Sequence, residues 1–461
     1  MAILIHNSLT KKKEELVPLD GKTVRMYSCG VTVYDKCHIG HARSLYIFDV
    51  VRRYLKYRGY DIRFVRNITD VDDKIINKAK ELNKSFDDVV RENIKAYERD
   101  LKNLGIRKAD REPRATKYIP KIIAFVEALI KKGFAYEVDG DVYYSVRKFK
   151  NYGRLSGQSI DQMIEAARIE QDPKKRDPLD FALWKKAKEG EKCWPSPWGK
   201  GRPGWHIECS CMSMNELKSE TIDIHAGGRD LIFPHHENEI AQSEALTGKP
   251  FARHWIHHGL LTINGQKMSK SLGNFITLDE VFERYSSDIL KLFFLQSHYA
   301  SPVDFSWEKM EEVKKAYGRV SILMKKLDKI NKATGGMGSD WSLKRKTEFE
   351  SAMDDDFNTP KALSVIYDMV NDCNKFMNSD TEGKQFLLRR AMDFIREVSD
   401  IFGINFLKES EISVEEEKLL MERIKARENK DFKKSDELRD ALKTKGIIVE
   451  DTKEGQVWRR A

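Results

Sequence analysis

The sequence has no long apolar run, although 40% of its 461 residues are hydrophobic and 34% are charged. A protein with several membrane spans is excluded, because each helical span needs about 20 consecutive apolar residues. A disordered chain is also excluded, because such chains hold too few hydrophobic residues to form a core. We therefore expect several folded domains with buried cores and no membrane partner.

Cysteine is scarce as well, with six residues in the whole chain. A fold that depends on disulfide bonds would need more, so these cysteines are expected to be core residues, metal ligands or reactive thiols. The first residues do not combine a charged segment with an apolar one, as a signal peptide does. The sequence therefore predicts a cytoplasmic protein.

Proline is nearly absent from the last third, where Pro360 alone of the twelve prolines follows Pro302. Because proline interrupts helices, this part is predicted to be mostly helical and the rest to mix strands and helices. Residues Arg423 to Lys445 are predicted to form one basic helix, with nine Lys or Arg against five Asp or Glu, before a terminal hairpin. Together with a net charge of +9, this helix favours a polyanionic partner.

Apolar segments between helix breakers predict a β-α-β unit near the start of the chain. Its strands cover Thr23–Ser28 and Ile62–Asn67, and its helix covers Ser44–Tyr57. Two further strands are predicted at Thr221–His225 and His254–His258, after a long insertion over about 113–200. This pattern predicts a parallel sheet that the insertion splits, with ligands bound beyond the carboxyl ends of its strands.

A first motif, Cys-His-Ile-Gly-His, lies between the first strand and its helix and contains His38, Gly40 and His41. A helix N-terminus attracts phosphate, Gly40 leaves room for a bulky group, and the two imidazoles can donate hydrogen bonds to phosphate oxygens. The motif therefore indicates a phosphate site. A pair of surface histidines that cap a helix would show the same pattern.

A second motif, Lys-Met-Ser-Lys-Ser, contains Lys267 and Lys270 and follows Asn264 and Gly265. Two lysines beside serines in a flexible segment suit a mobile loop that stabilises a polyphosphate as charge develops. Taken alone, the segment could equally be a solvated turn.

Cys29, Cys209, His235 and Glu239 form a third group. His235 and Glu239 are four residues apart and share one helix face, which favours His235 over its neighbour His236. Two thiolates, an imidazole and a carboxylate make a plausible tetrahedral zinc set. The alternative is a pair of buried cysteines near a capped helix.

The remaining cysteines and one acidic cluster are expected to be structural. Packing residues are predicted at Cys37, Cys193, Cys211 and Cys373, and helix-capping residues at Asp70, Asp72 and Asp73.

The first two motifs, in this order, resemble the paired signatures of class I aminoacyl-tRNA synthetases. Residues 27–41, 204–210, 227–239 and 267–274 together resemble the cysteinyl-tRNA synthetase family, and residues 426–458 resemble its anticodon-binding module. The resemblance covers essentially the whole chain. It implies an α/β fold, with a Rossmann-like parallel sheet split by an insertion, then a helical bundle and a small mixed α/β C-terminal module.

The resemblance also implies a division into domains. The expected segments are 1–112 and 201–260 for the two halves of the catalytic domain, 113–200 for the connective insertion, 261–320 for the Lys-Met-Ser-Lys-Ser loop and stem-contact region, 321–405 for the helical bundle, and 406–461 for the anticodon-binding module.

Specific roles follow from the same resemblance. One zinc ion per chain would be held by Cys29, Cys209, His235 and Glu239, the amino-acid pocket would include Thr69 and Trp205, and ATP would be bound by His38, Gly40, His41, Asp230, Lys267 and Lys270. The implied substrates are L-cysteine, ATP with Mg²⁺ and tRNA(Cys), and the implied state is a monomer. Cysteine would be activated as an adenylate and transferred to the 3′ end of the tRNA.

Two other functions are compatible with parts of this pattern. A zinc-dependent ligase that joins cysteine to an amino sugar would share every catalytic motif, but it has no need for the basic C-terminal third. A non-catalytic RNA-binding relative with a structural zinc would have no need for two intact phosphate-binding motifs.

Overall fold

The computed structural model describes residues 2–166, 173–268, 273–330, 341–380, 383–407, 414–452 and 455–460. The strands in these ranges are β1 (Leu4–Asn7), β2 (Lys12–Glu15), β3 (Thr23–Ser28), β4 (Asp61–Arg66), β5 (Ala135–Val138), β6 (Asp141–Tyr144), β7 (Phe181–Lys186), β8 (Gly201–Pro203), β9 (Ile222–Gly228), β10 (Ala252–His258), β11 (Leu261–Ile263), β12 (Gln266–Lys267), β13 (Val303–Phe305), β14 (Ile447–Thr452) and β15 (Gly455–Arg460). The α-helices are α1 (Ile39–Tyr57), α2 (Asp73–Glu81), α3 (Phe86–Asn103), α4 (Ile119–Lys131), α5 (Ile160–Ala166), α6 (Trp205–Leu217), α7 (Glu237–Thr247), α8 (Leu278–Phe282), α9 (Ser287–Leu295), α10 (Trp307–Asp328), α11 (Trp341–Asp354), α12 (Thr359–Met377), α13 (Lys384–Phe402), α14 (Val414–Glu428) and α15 (Phe432–Thr444).

Four parallel strands form the central sheet, in the spatial order β10-β9-β3-β4. Every residue of β9 is buried, as expected for a parallel strand that is covered on both faces. The four strands predicted from the sequence are confirmed, and β3 has the predicted bounds. The order also confirms the predicted split, since β9 lies beside β3 although the insertion separates them along the chain.

Helix α1 begins at Ile39, whereas the sequence analysis placed its start at Ser44. The earlier start has a local cause, because the His38 side chain accepts hydrogen bonds from the backbone N–H groups of Gly40 and His41 and thereby caps the helix. The motif therefore forms the first turn of α1 itself.

The insertion between β4 and β9 contains a four-stranded antiparallel sheet, in the order β5-β6-β7-β8. Its first two strands, β5 and β6, form a hairpin. Ile122 and Trp184 of the insertion share one hydrophobic core with Tyr27 and Trp255 of the central sheet. The insertion is therefore packed directly onto this part of the chain.

The described residues form two compact units. The first contains 1–307, 348–363 and 401–403, and the second contains 308–347, 364–400 and 404–461. The second unit is mostly helical, as predicted, and the glycine-rich segment 335–338 lies outside the described residues. Within the described ranges, no helix is both long and apolar enough to cross a membrane.

The C-terminal module differs from its prediction in one respect. The single helix predicted over Arg423 to Lys445 is wrong, because α14 ends at Glu428 and α15 begins at Phe432. Lys430 has a left-handed backbone, with φ of 59°, and the Asp431 side chain caps the next helix through the backbone N–H of Lys434. The predicted hairpin is confirmed as β14 and β15.

Candidate active site and metal centre

Four side chains converge beyond the carboxyl end of β3. Cys29 directly follows this strand, Cys209 lies near the start of α6, His235 lies in the kinked segment Ile232–His236 that precedes α7, and Glu239 lies in the first turn of α7. One potential ligand atom from each of the four lies within 4.8 Å of all the others. The structure therefore brings together the complete set that the sequence analysis proposed as metal ligands.

The distances within this cluster are short. Cys29 Sγ lies 3.9 Å from Cys209 Sγ and 3.5 Å from Glu239 Oε1. His235 Nε2 lies 3.0 Å from the same Glu239 oxygen, which agrees with the predicted pairing of residues four apart on a helix face. Two sulfurs, a nitrogen and an oxygen at this spacing match the donors that zinc prefers.

A second donor set overlaps the first and consists of Cys29, His225, His236 and Glu239. His236 Nε2 lies 3.2 Å from Cys29 Sγ, and His225 Nε2 lies 2.9 Å from Glu239 Oε2. The Nδ1 atom of His225, however, is buried without a hydrogen-bond partner in the described residues. A ligating histidine ordinarily holds such a partner through its second nitrogen, so this set is the less suitable one.

His235 satisfies that requirement, because its Nδ1 atom lies 2.9 Å from Nδ1 of His206. The set with His235 also contains both thiols, which a soft or borderline metal ion favours. The geometry therefore favours Cys29, Cys209, His235 and Glu239 as the better metal-binding set.

Burial and charge oppose each other within the cluster. Burial alone would raise the pKa of Glu239, but His225 and His235 lower it to about 2. Burial also disfavours the Cys209 thiolate, yet a hydrogen bond with Cys29 and the proximity of His235 lower the pKa of Cys209 to about 6. Cys209 and Glu239 are thus anionic at neutral pH, which is the form that binds a metal ion.

Trp205 borders the cluster, and Thr69 follows β4, the strand that pairs with β3. The Trp205 and His235 rings are stacked with their centroids 4.2 Å apart, and Trp205 remains 38% exposed at the edge of a cleft of about 760 Å³. Thr69 is buried, and its hydroxyl accepts a hydrogen bond of 3.1 Å from Asn67 Nδ2. Trp205 therefore forms part of one wall of this cleft, where the sequence predicts the amino-acid pocket.

The sequence analysis missed a chain of buried histidines beside the cluster. His236 Nδ1 lies 2.8 Å from His257 Nε2, and His257 Nδ1 lies 2.8 Å from the Ser8 hydroxyl. Burial lowers the pKa of His206, His236 and His257, so these rings are neutral at physiological pH. The available signal was the presence of histidines inside apolar strand segments, such as His257 in β10.

The N-terminus of α1 carries the first motif. His38 Nδ1 accepts from the N–H groups of Gly40 and His41, at 3.1 and 3.3 Å, so in the neutral ring the proton lies on Nε2, which can donate. The His38 and His41 rings are stacked with centroids 3.7 Å apart. Desolvation and the neighbouring His38 lower the pKa of His41 to about 3, so His41 acts as a neutral hydrogen-bonding group.

The second motif meets the first. Lys267 is exposed at the end of β12, and the position that a Cβ atom would take at Gly40 lies 3.5 Å from Met268 Cε. Further along, the Phe275 ring packs edge-on against His38, with centroids 5.1 Å apart. The structure therefore places Met268, the neighbour of Lys267 in the chain, against the first turn of α1, while Lys270 lies outside the described residues.

Asp230 is exposed in a short 3-10 turn after β9 and lines a cleft of about 700 Å³ with Arg229 and Phe233. A Cβ atom at Gly228 would lie 2.3 Å from Asp230 Oδ1, so any larger residue there would make this exposed side chain move. The carboxylate thus stands at the carboxyl end of a central strand, where the sequence analysis expected a nucleotide contact.

The residues assigned structural roles behave as follows. Cys211 is buried on a different face of α6 from Cys209, and Cys37 and Cys373 are also buried, whereas Cys193 is half-buried. Of the acidic cluster, Asp72 caps α2 as predicted. Asp70 instead accepts two hydrogen bonds from Thr116, and Asp73 pairs with Lys185 and Arg202.

Comparison with known proteins adds an independent finding. The family model described as the class I (C) tRNA synthetase catalytic domain matches residues 15–315, a DALR domain matches 348–407, and the cysteinyl-tRNA ligase anticodon-binding domain matches 409–459. The chain belongs to the cysteine–tRNA ligase family. It is 50% identical to the cysteine–tRNA ligases of Persephonella marina and of a Sulfurihydrogenibium species, over the full length of both chains in each case.

Solved structures of other class I enzymes share the fold of this cysteine–tRNA ligase family member. The methionyl-tRNA synthetase of Mycobacterium tuberculosis, in complex with methionyl-adenylate, has a TM-score of 0.64 at 16% identity and covers 83% of this chain and 92% of its own. A putative arginyl-tRNA synthetase from Campylobacter jejuni has a TM-score of 0.58 at 15% identity, covering 84% and 94%. The expected class I architecture is therefore confirmed.

Proposed function

We propose that this protein activates L-cysteine with ATP to form cysteinyl-adenylate and pyrophosphate, and then transfers cysteine to the 3′ end of tRNA(Cys). The observation that carries the proposal is the Cys29–Cys209–His235–Glu239 cluster, buried beside the helix start that holds His38. Membership of the cysteine–tRNA ligase family over the full chain supports the same reaction.

The donor set fits a zinc ion, because two thiolates, an imidazole and a carboxylate are within reach of one centre. When bound, zinc would supply a direct bond to the substrate thiolate and so favour cysteine over the nearly isosteric serine. Pocket shape alone separates such similar side chains by only about 10–200-fold. Trp205 would close the pocket against water by stacking over His235.

ATP would bind across the first turn of α1. His38 and His41 would donate hydrogen bonds to phosphate oxygens as neutral rings, and Gly40 would leave room for them. Lys267 and Lys270 would bring positive charge to the polyphosphate as the α-phosphate is attacked, with Mg²⁺ bound to ATP. Asp230 would accept hydrogen bonds from the ribose hydroxyl groups.

The tRNA would be bound at two places. Its 3′ end would reach the amino-acid pocket along the cleft of about 760 Å³ beside Trp205. The charged residues that line this cleft are six bases, Lys174, Lys175, Lys185, Lys186, Lys188 and Arg202, and four acids, Asp72, Asp73, Asp141 and Glu191. The basic C-terminal module would hold the anticodon, and the matching domain model supports this assignment. Both contacts should weaken as salt rises. We further propose that the protein acts as a monomer in the cytoplasm.

Pyrophosphate–ATP exchange tests the first step. Exchange should depend on L-cysteine and be weak with L-serine, and metal analysis should find one zinc ion per chain. Exchange without any amino acid, or equal exchange with serine, would reject the proposal. Lys270→Ala should slow exchange by orders of magnitude and leave the zinc content unchanged.

Transfer of cysteine to tRNA tests the second step. Formation of cysteinyl-tRNA separates this function from the amino-sugar ligase, which would activate cysteine and then transfer it to an amine. The non-catalytic alternative predicts that neither step occurs. The anticodon-binding domain at 409–459 favours transfer to tRNA.

A further inference from the structure

One buried carboxyl group beside the metal cluster has no partner. Glu208, in the first turn of α6, is completely buried, and neither of its oxygens has a hydrogen-bond partner within the described residues. Buried polar groups are almost always hydrogen-bonded, so an unpartnered carboxylate needs an explanation. Leaving it unpaired is strongly unfavourable.

The surroundings of Glu208 provide no counter-charge. Burial raises the pKa of Glu208 well above its usual value, and the ionisable groups that add to this effect, Cys209, Asp70 and Asp72, are all acids. Asp70 is already held by Thr116, and Asp72 caps α2. A positively charged group therefore has to come from outside the chain if the carboxylate is to be paired.

Glu208 is nevertheless well placed for a substrate contact. It lies three residues after Trp205 and directly before Cys209, so all three side chains project toward one side of α6. The Thr69 hydroxyl is close enough to favour the charged form of the carboxyl group, although the effect of burial on the pKa is larger. Trp205 and Thr69 are the two residues proposed above to form the amino-acid pocket.

The substrate in the proposed reaction carries the missing charge. Cysteine presents its thiol to the metal cluster and its carboxylate to the α-phosphate of ATP, so its third polar substituent, the α-ammonium group, needs an acceptor of its own. We propose that Glu208, together with Thr69, receives this ammonium group. The inference rests on the proposed function and adds to it the third point of recognition, which would select an L-amino acid over a simple thiol.

Binding of three thiols to the zinc-loaded full-length protein tests the inference. L-Cysteine and cysteamine carry an amino group, and 3-mercaptopropionate does not. Glu208→Gln should weaken the binding of cysteine and cysteamine by about 10–100-fold, because a hydrogen bond to a charged group is lost. Binding of 3-mercaptopropionate should change less than twofold, and zinc content should not change.

Glu237→Gln is a matched control. Glu237 is also completely buried and has one unpartnered oxygen, but its other oxygen accepts from the backbone N–H groups of Leu155 and Ser156 at 3.1 and 2.9 Å. Its replacement should leave the ratio of affinities for cysteine and 3-mercaptopropionate unchanged. A Glu208→Gln variant that affects all three thiols equally, or none of them, would overturn the inference.

A structure of the wild-type protein with bound cysteine provides a test that needs no variant. The substrate nitrogen should lie within hydrogen-bond distance of Glu208, with or without a second hydrogen bond to Thr69. A nitrogen more than about 5 Å from the Glu208 carboxylate would refute the inference, since that distance is beyond any hydrogen bond. Failure of the proposed function would be seen separately, as a wild-type protein without cysteine-dependent exchange.

Discussion

Replacing Arg43 should loosen the base of the loop that carries Lys267. Arg43 lies on α1 just after His41 and is completely buried. Its guanidinium group donates to four backbone carbonyls, those of Gly259 (2.6 Å), Leu260 (2.9 Å), Tyr299 (3.2 Å) and Ser301 (2.6 Å). These segments lead directly into β11 and β13, which pair with each other, so Arg43 fixes both strands to α1.

The four hydrogen bonds that Arg43 donates stabilise this part of the fold. Each hydrogen bond from a charged donor contributes about 1.5–3 kcal/mol, so four would contribute roughly 6–12 kcal/mol. Burying the guanidinium costs several kcal/mol in return, and its burial lowers the pKa of Arg43 to about 10, which still leaves it charged at neutral pH. We expect a net local loss of about 3–5 kcal/mol for Arg43→Met.

Hydrogen exchange gives the most direct measurement. The N–H of Gly259 donates to Tyr299, and the N–H of Val303 donates to Leu260, so these two amides report on the joined segments. A loss of 3 kcal/mol should speed their exchange roughly 150-fold. Cysteine-dependent pyrophosphate exchange should fall as well, because Lys267 would no longer be held near the helix start.

An exposed arginine provides the control. Arg91 pairs with Asp88 on the surface of α3, and Arg91→Met should change stability by less than about 0.5 kcal/mol. If Arg43→Met left the exchange of Gly259 and Val303 as slow as in the wild type, the assigned role of the four bonds would be wrong.

Three further predictions address the pocket, the C-terminal module and the response to acid. Trp205→Ala should raise the KM for cysteine in pyrophosphate exchange about tenfold with little change in kcat, because the stacking on His235 is lost. Arg423→Met removes a buried ion pair with Asp451, with both N–O distances 2.9 Å, and should lower tRNA charging while cysteine-dependent exchange stays within twofold. Burial lowers the pKa of His258 to about 4, so protonation favours the unfolded chain, and the stability that His258 contributes should fall by about 1.4 kcal/mol per pH unit as pH drops from 6.5 to 4. Denaturation at pH 7 and pH 5 should show a smaller loss for His258→Asn than for the wild type.

The strands of the central sheet could be predicted because they are short apolar segments between helix breakers. The bounds of β3 agree with the prediction, and the other three strands differ by a few residues at their ends. The start of α1 was placed too late because its cap is a histidine, whereas Ser, Thr, Asp and Asn are the usual capping residues. The break at Lys430 contains neither proline nor glycine, and the one signal present, the capping residue Asp431, was missed.

The site was predicted from its motifs, but its second layer was not. Sequence spacing favours His235, and the structure places it beside Glu239. Sequence spacing could not reveal that His225 also reaches Glu239, because these residues are 14 apart and meet only where β9 and α7 pack together. Nor could the sequence show that neither oxygen of Glu208 has a hydrogen-bond partner within the described residues, because that depends on every neighbouring side chain.

The topology of the sheet explains why ligands so distant in the sequence meet. Cys29 and Glu239 are separated by 210 residues, yet β3 and β9 are direct neighbours in the parallel sheet. The ends of neighbouring parallel strands lie at the same edge, so Cys29 must lie close to the segment that follows β9. Helix α6, which leads from the insertion into β9, brings Cys209 to the same edge. The length of the insertion therefore has no direct effect on the cluster. What the insertion has to preserve is the position of α6, and its shared core with Trp255 and Tyr27 serves that purpose.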